Sequence, residues 1–203
     1  GDRAWIASAI VAVYPGLVLS SVYLMPEGLY TLLAVLALLL VGYRSFALAV
    51  AAGAVTGLAI LTRSVGVTLV VTAMVAAEAT WWADATAPST APGTAVRTWR
   101  VAMARLAAFG MACGLVLMPW LAFTSRVAGG PLLDATSGMN VLLGNHDGAT
   151  GRLDMADEAP LRQAHVAGAA SEADANTRAL GAGLQWAVDH PEAWLRLGAA
   201  KLG

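Results

Sequence analysis

Between Ala4 and Phe123 the chain is a succession of apolar runs, separated by short breaks and, before the last, by a longer polar stretch, and each is long enough to matter to a membrane. The runs are Ala4 to Tyr23, Pro26 to Tyr43, Phe46 to Thr62, Val65 to Trp82 and Leu106 to Phe123. At about 1.5 Å per helical residue, runs of this length approach or match a hydrocarbon core about 30 Å thick. This pattern predicts an all-α chain: a polytopic membrane helical bundle of about five spans over residues 1–123, followed by an outer loop and helical segment over residues 124–203. Composition agrees, because 58% of residues are hydrophobic and 12% charged, whereas soluble domains are nearer ~45–50% apolar.

Breaks in the runs carry local structure. Tyr14-Pro15-Gly16 interrupts the first span, and proline removes a backbone donor and crowds the preceding turn, so a kink is expected there. Pro26 suits a first helical turn, with Glu27 beside it where the positive end of the helix dipole favours a carboxylate. Arg63-Ser64 alone separates the third and fourth spans, which predicts a tight helical hairpin. The third span also contains Gly53-Ala-Val-Thr-Gly57, a spacing of small residues that lets helix backbones approach closely. Residues Ala83 to Thr98 are rich in Ala, Pro, Ser, Thr and Gly and read as a loop.

Beyond Pro119-Trp120 the character changes. The run Ala135 to Gly151 is polar and glycine-rich, and the remainder carries nine acidic residues against six basic ones. Leu180, Leu184 and Val188 recur at helical spacing within Glu172 to Val188. Asp189-His190-Pro191-Glu192 then restarts a helix, with Asp189 or His190 as cap and Pro191 in its first turn.

Alternating the spans across a bilayer places Arg3, Arg44, Arg97, Arg100 and Arg105 on one side and Arg63 and Arg126 on the other. By the positive-inside rule the first side is cytoplasmic. Glu27, Arg63 and residues 124–203 are then expected outside an inner, multi-pass cell membrane.

Several function classes drop out. The basic residues are scattered singly and form no stripe for a phosphate backbone, so no nucleic-acid partner is expected. His146, His165 and His190 are too irregularly spaced for a metal motif, so no resident metal is expected, although Asp147 and Asp154 could join a divalent cation. Gly144 to Gly151 could cradle an anion with backbone amides, but it lacks the Gly-Lys-Ser/Thr ending of a phosphate-binding loop. No serine lies in a nucleophile-elbow context. Cys113, the single cysteine, is a packing residue in an apolar run.

Two charges stand out. Glu27 begins a span at the outer face, and it reads either as a functional group or as a solvated carboxylate. Arg63 ends a span of roughly 25 Å of helix, so its guanidinium falls below the outer surface and wants a carboxylate or phosphate to fork onto. A headgroup-snorkelling arginine is the alternative.

In this order and spacing, Tyr14-Pro15, Met25-Pro26-Glu27, Gly57-Leu-Ala-Ile-Leu-Thr-Arg63, Pro119-Trp120, Gly129, Thr136, Gly144-Asn145 and Gly148-Ala-Thr-Gly151 resemble the C-type glycosyltransferases. The resemblance is to the bacterial family 39 group related to protein mannosyltransferases. It implies transfer of a sugar from a polyprenyl-phosphate carrier to a lipid, glycan or protein acceptor at the outer face. It also implies that Arg63, and Arg126 in place of an absent arginine, bind donor phosphate, and that Glu27 and Asn145 shape the site; His146 and Asp147, in the polar core of Asn140 to Gly151, are expected to join them as that loop folds back over the outer ends of the spans carrying Glu27 and Arg63.

Two departures from the family pattern follow. Phe123-Thr124 stands where the family has Arg-Asn. The family's catalytic aspartate belongs to a first outer loop, and none precedes Tyr14, so the general base is expected upstream of Gly1 and this chain, as a fragment, is expected to be inactive alone. Rival readings of the same residues are a transporter or flippase-like protein, whose kinked helices would also suit Pro15 and Arg63, and a structural membrane subunit.

Overall fold

The computed structural model describes residues 2–16, 26–43, 45–85, 94–152 and 154–201. Among these the chain is all-helical, with no strand. The helices are α1 (Asp2–Val13), α2 (Pro26–Val41), α3 (Phe46–Thr62), α4 (Thr68–Ala85), α5 (Thr94–Val127), α6 (Ser137–Gly144), α7 (Glu158–His165), α8 (Glu172–Asp189) and α9 (Pro191–Ala200), with short 3-10 turns at Ser64–Val67 and Met155–Asp157. The end of the first expected span through Tyr23, together with Met25, Arg44 and residues 86–93 of the expected loop, lies outside the described residues. The chain divides into two compact units, Gly1–Pro119 and Trp120–Gly203, and α5 runs through the boundary.

In the first unit, α1 stops at Val13, directly before Tyr14-Pro15, as expected where proline excludes the helical conformation of the residue before it. Helices α2, α3 and α4 pack through Ala37, Ala59 and Leu69, and a second cluster joins Ala52, Ala73 and Phe109 of α5. The residues inside are small. A methyl group added at Gly53 would lie 2.1 Å from the Phe109 carbonyl oxygen, and one at Gly57 would lie 2.9 Å from Val116 Cβ and 3.0 Å from the Cys113 carbonyl. The glycine pair therefore lets α3 touch the backbone of α5 across two successive turns.

Large apolar side chains point the other way. Leu32, Leu39, Met111, Leu115 and Met118 are each at least 60% exposed. Helix α5 carries the one stretch among the described residues, Trp99–Val127, that is long and apolar enough to cross a membrane, and only 17% of its most apolar window is buried. Pro26–Val41 and Phe46–Thr62 are shorter apolar helices.

Three expectations need correction. The loop assigned to Ala83 to Thr98 is shorter, because α4 continues to Ala85 and α5 starts at Thr94. Past the prolines at 88 and 92 no proline stands before Pro119, so α5 can begin as early as Thr94. Likewise, α5 outruns the expected Leu106 to Phe123 at both ends and passes through Pro119 without stopping. The fourth span does not start at Val65 but at Thr68, after a 3-10 turn over Ser64–Val67 that the extended Arg63, at φ −149° and ψ 128°, precedes.

The second unit is built around α6 crossing α8. Met139, Leu142, Leu143, Val166 and Ala179 form its core, with Leu161, Ala175 and Ala182 against it. Glycines again permit the crossing: a methyl at Gly138 would lie 2.0 Å from the Asn176 carbonyl, and one at Gly183 2.9 Å from Leu142 Cα. The Asp134 carboxylate accepts from the amides of Thr136 (2.6 Å) and Ser137 (2.8 Å), which starts α6. This local carboxylate turned what reads as a glycine-rich loop from Asn140 onward into helix as far as Gly144. Ser171 caps α8 by accepting from the Asp174 amide at 3.2 Å, while the Asp174 carboxylate reaches back to the Ala170 amide at 2.9 Å. His190 caps α9 and Pro191 takes its first position.

Candidate functional site

Glu27 and Arg63 meet. Glu27 lies in the first turn of α2 and Arg63 closes α3, so the carboxylate sits at the positive end of one helix and the guanidinium at the negative end of its neighbour. Arg63 Nη1 donates to Glu27 Oε1 at 2.8 Å, and the Arg63 amide caps α3 by donating to the Ala59 carbonyl at 2.9 Å. The side chains remain 44% and 35% exposed, respectively. Glu27 Oε2 is shielded and has no hydrogen-bond partner among the described residues. One anion therefore already occupies one arm of the Arg63 fork, while the other donors of that guanidinium engage no described group.

The remaining residues singled out by sequence belong to the second unit. Arg126 is exposed in the last turn of α5. Asn145 is the C-terminal cap of α6; its side-chain amide donates to the Val141 carbonyl at 2.7 Å, and its Oδ1 is buried without a partner among the described residues. The loop after it spends its amides in turns, with Asn145 donating to Leu142 and Ala149 to His146, so these two amides are not open to an anion. Gly148 at φ 91° and Gly151 at φ 85° take the left-handed backbone that the turns require.

His146 is buried. Its Nδ1 lies 2.8 Å from the Asp147 carbonyl, which can only accept, so Nδ1 carries the hydrogen and Nε2 faces Asp157 Oδ2 at 3.5 Å. The Asp147 carboxylate accepts from Trp186 Nε1 at 2.7 Å, and the Trp186 ring stacks on His190 with centroids 5.1 Å apart. Asp154 is engaged separately, accepting from the Ala156 amide at 2.9 Å. Among the described residues no group of three His, Cys, Asp or Glu side chains converges for a metal ion.

Trp186, Arg196 and Asp157 are not evident as site residues in the sequence. The available signal is the spacing Trp186-x-x-x-His190, which places two rings on one face of α8 just before Pro191 stops that helix. Comparison of the chain with protein-family models, with curated proteins and with solved structures finds no match.

Proposed function

We propose that this chain is the donor-binding, membrane-embedded part of a glycosyltransferase that moves a sugar from a polyprenyl-phosphate carrier to a lipid, glycan or protein acceptor at the outer face of the cell membrane. The observation that carries the reading is the site made by Glu27 and Arg63: a partly exposed guanidinium with donors to spare at the end of a short apolar helix. The resemblance to the family 39 group supplies a phosphate for it. The multi-pass placement is supported by the inverted burial of the first unit, with Ala and Gly inside and Leu and Met outside. That pattern suits lipid, where helices associate through small residues instead of through burial of large ones.

In this reading the transfer is inverting. A carboxylate acting as general base removes the proton of the acceptor hydroxyl, whose oxygen attacks the anomeric carbon as the bond to phosphate oxygen breaks. The polyprenyl phosphate leaves with its negative charge, and Arg63 stabilises that charge. Glu27 orients the guanidinium.

A second reading, a polar clasp that holds α2 against α3 in a transporter or structural subunit, draws on the same 2.8 Å contact, because each charge already neutralises the other. Donor binding separates the two. With the full-length protein in nanodiscs and a polyprenyl-phosphate sugar as probe, Arg63→Ala is expected to lose most binding and transfer while the fold persists, and Arg63→Lys to recover part. Donor affinity unchanged in Arg63→Ala would leave only the clasp.

A further inference from the structure

The second unit contains a groove of about 480 Å³ that the transfer chemistry above does not use. It is lined by Asp147, Trp186 and His190 together with Arg196, Ala193 and Leu197 of α9, and the Trp186 and His190 rings stack on each other. Its polar groups are of both kinds. Asp147 Oδ1 is fixed by Trp186 Nε1 at 2.7 Å, leaving Oδ2 as an acceptor. His190 Nδ1 donates to the Trp186 carbonyl at 3.1 Å, which leaves Nε2 as its second polar atom. Arg196 contacts only the Glu192 carbonyl through Nε at 3.4 Å, among the described residues, so its terminal nitrogens are donors to spare.

This mixture discriminates between ligand classes. A phosphate or carboxylate drawn to Arg196 would meet the Asp147 carboxylate, and an ammonium drawn to Asp147 and the indole would meet Arg196. A hydroxyl both donates and accepts, so a ring bearing several hydroxyls satisfies both kinds of group without bringing a charge into the groove. Such a ring also has an apolar C–H face to lay on an aromatic wall, and pockets of mixed aromatic and sparse polar lining are built for ligands of this size. We infer that this groove binds a neutral pyranose ring of a glycan. Every group in the argument belongs to the second unit, so the inference stands apart from the role of Arg63.

The test is saturation-transfer NMR on the full chain in nanodiscs free of sugar headgroups, with methyl β-D-glucopyranoside and cellobiose as probes and inorganic phosphate and choline as comparators. The saccharides are expected to receive saturation in the parent protein and the comparators not. Trp186→Ala should weaken saccharide binding at least tenfold, and Asp147→Asn several-fold. Ala193→Trp, which fills the groove without removing a polar group, should abolish it, and an unchanged helical circular-dichroism signal shows that this variant is folded. Absence of saccharide binding in the parent would overturn the inference. So would binding that survives both Trp186→Ala and Ala193→Trp, or selective binding of phosphate or choline.

Discussion

Arg63 Nη1 lies 2.8 Å from Glu27 Oε1 across 36 residues of sequence, so the anion that this arginine at the end of an apolar helix requires comes, in part, from the neighbouring helix. The arrangement also matches each charge to the helix end that favours it. Both side chains retain access to the surroundings, so the pair is not a sealed structural bridge.

The contact should therefore be worth little to stability by itself. In a double-mutant cycle of Glu27→Gln and Arg63→Met, thermal unfolding in detergent is expected to give a coupling of about 0.5–1 kcal/mol. The charge-swapped protein, Glu27→Arg with Arg63→Glu, should fold less well than the parent, because each charge then opposes its helix dipole. A coupling near zero would show that the two side chains do not interact in the folded protein.

Packing of α3 against α5 makes a sharper demand. Even one methyl at Gly53 collides with backbone, not with a side chain that can turn aside, so Gly53→Ala should lower stability by about 1–3 kcal/mol. Gly110→Ala, where nothing lies within 4 Å, is expected to be neutral or stabilising by up to about 1 kcal/mol through helix propensity. Equal effects of the two substitutions would contradict the close approach of these helices.

The sequence revealed the helices whose signals are local. Pro26 and Glu27 mark the start of α2, Arg63 the end of α3, and His190-Pro191 the junction of α8 and α9, and all of these stand where the pattern puts them. Boundaries that depend on a side chain folding back on the backbone were not legible. The Asp134 turn made α6 from residues that read as loop, and the short helix α7 has too few apolar residues to give a period. Nor could spacing alone pair Glu27 with Arg63 or Asp147 with Trp186, because both contacts join residues far apart in the chain. In the first unit the glycine pair was visible as a packing motif, but its partner, the backbone at Phe109 and Cys113, was not.

The cap of α8 predicts a response to acid. The Arg178 side chain, and then the Ala170 amide, bond to the Asp174 carboxylate and hold its pKa below the ordinary carboxylate value of 3.8. A group whose pKa is lowered by folding contributes stability above its unfolded pKa and loses it as pH falls through the folded value. The contribution should thus be complete at neutral pH, begin to decline near about pH 4, and be lost as pH falls on through the lowered folded value. Unfolding of the second unit followed from pH 7 to pH 2 should show this acid loss in the parent and a shallower one in Asp174→Asn. Separately, Ser171→Ala should cost about 1 kcal/mol at neutral pH. Identical pH profiles for parent and Asp174→Asn would remove the carboxylate from the cap.

The last prediction concerns the membrane. If α5 crosses it once, the stretch before its start and the segment after its end lie on opposite sides. Arg97, Arg100 and Arg105 cluster at the first end, against Arg126 alone at the second, so the positive-inside rule puts residues before α5 in the cytoplasm and α6 outside. Single cysteines at Ser89 and Ser137, introduced with Cys113→Ala, test this in intact cells with a membrane-impermeant maleimide. Ser137→Cys is expected to label without permeabilisation and Ser89→Cys only after it. The reverse pattern would invert the orientation and move the Glu27 and Arg63 site to the cytoplasmic face, where a donor site at the outer surface could not exist. Labelling of both from outside would mean that α5 does not span the membrane at all, and its exposed Met111, Leu115 and Met118 would then need a protein partner to cover them.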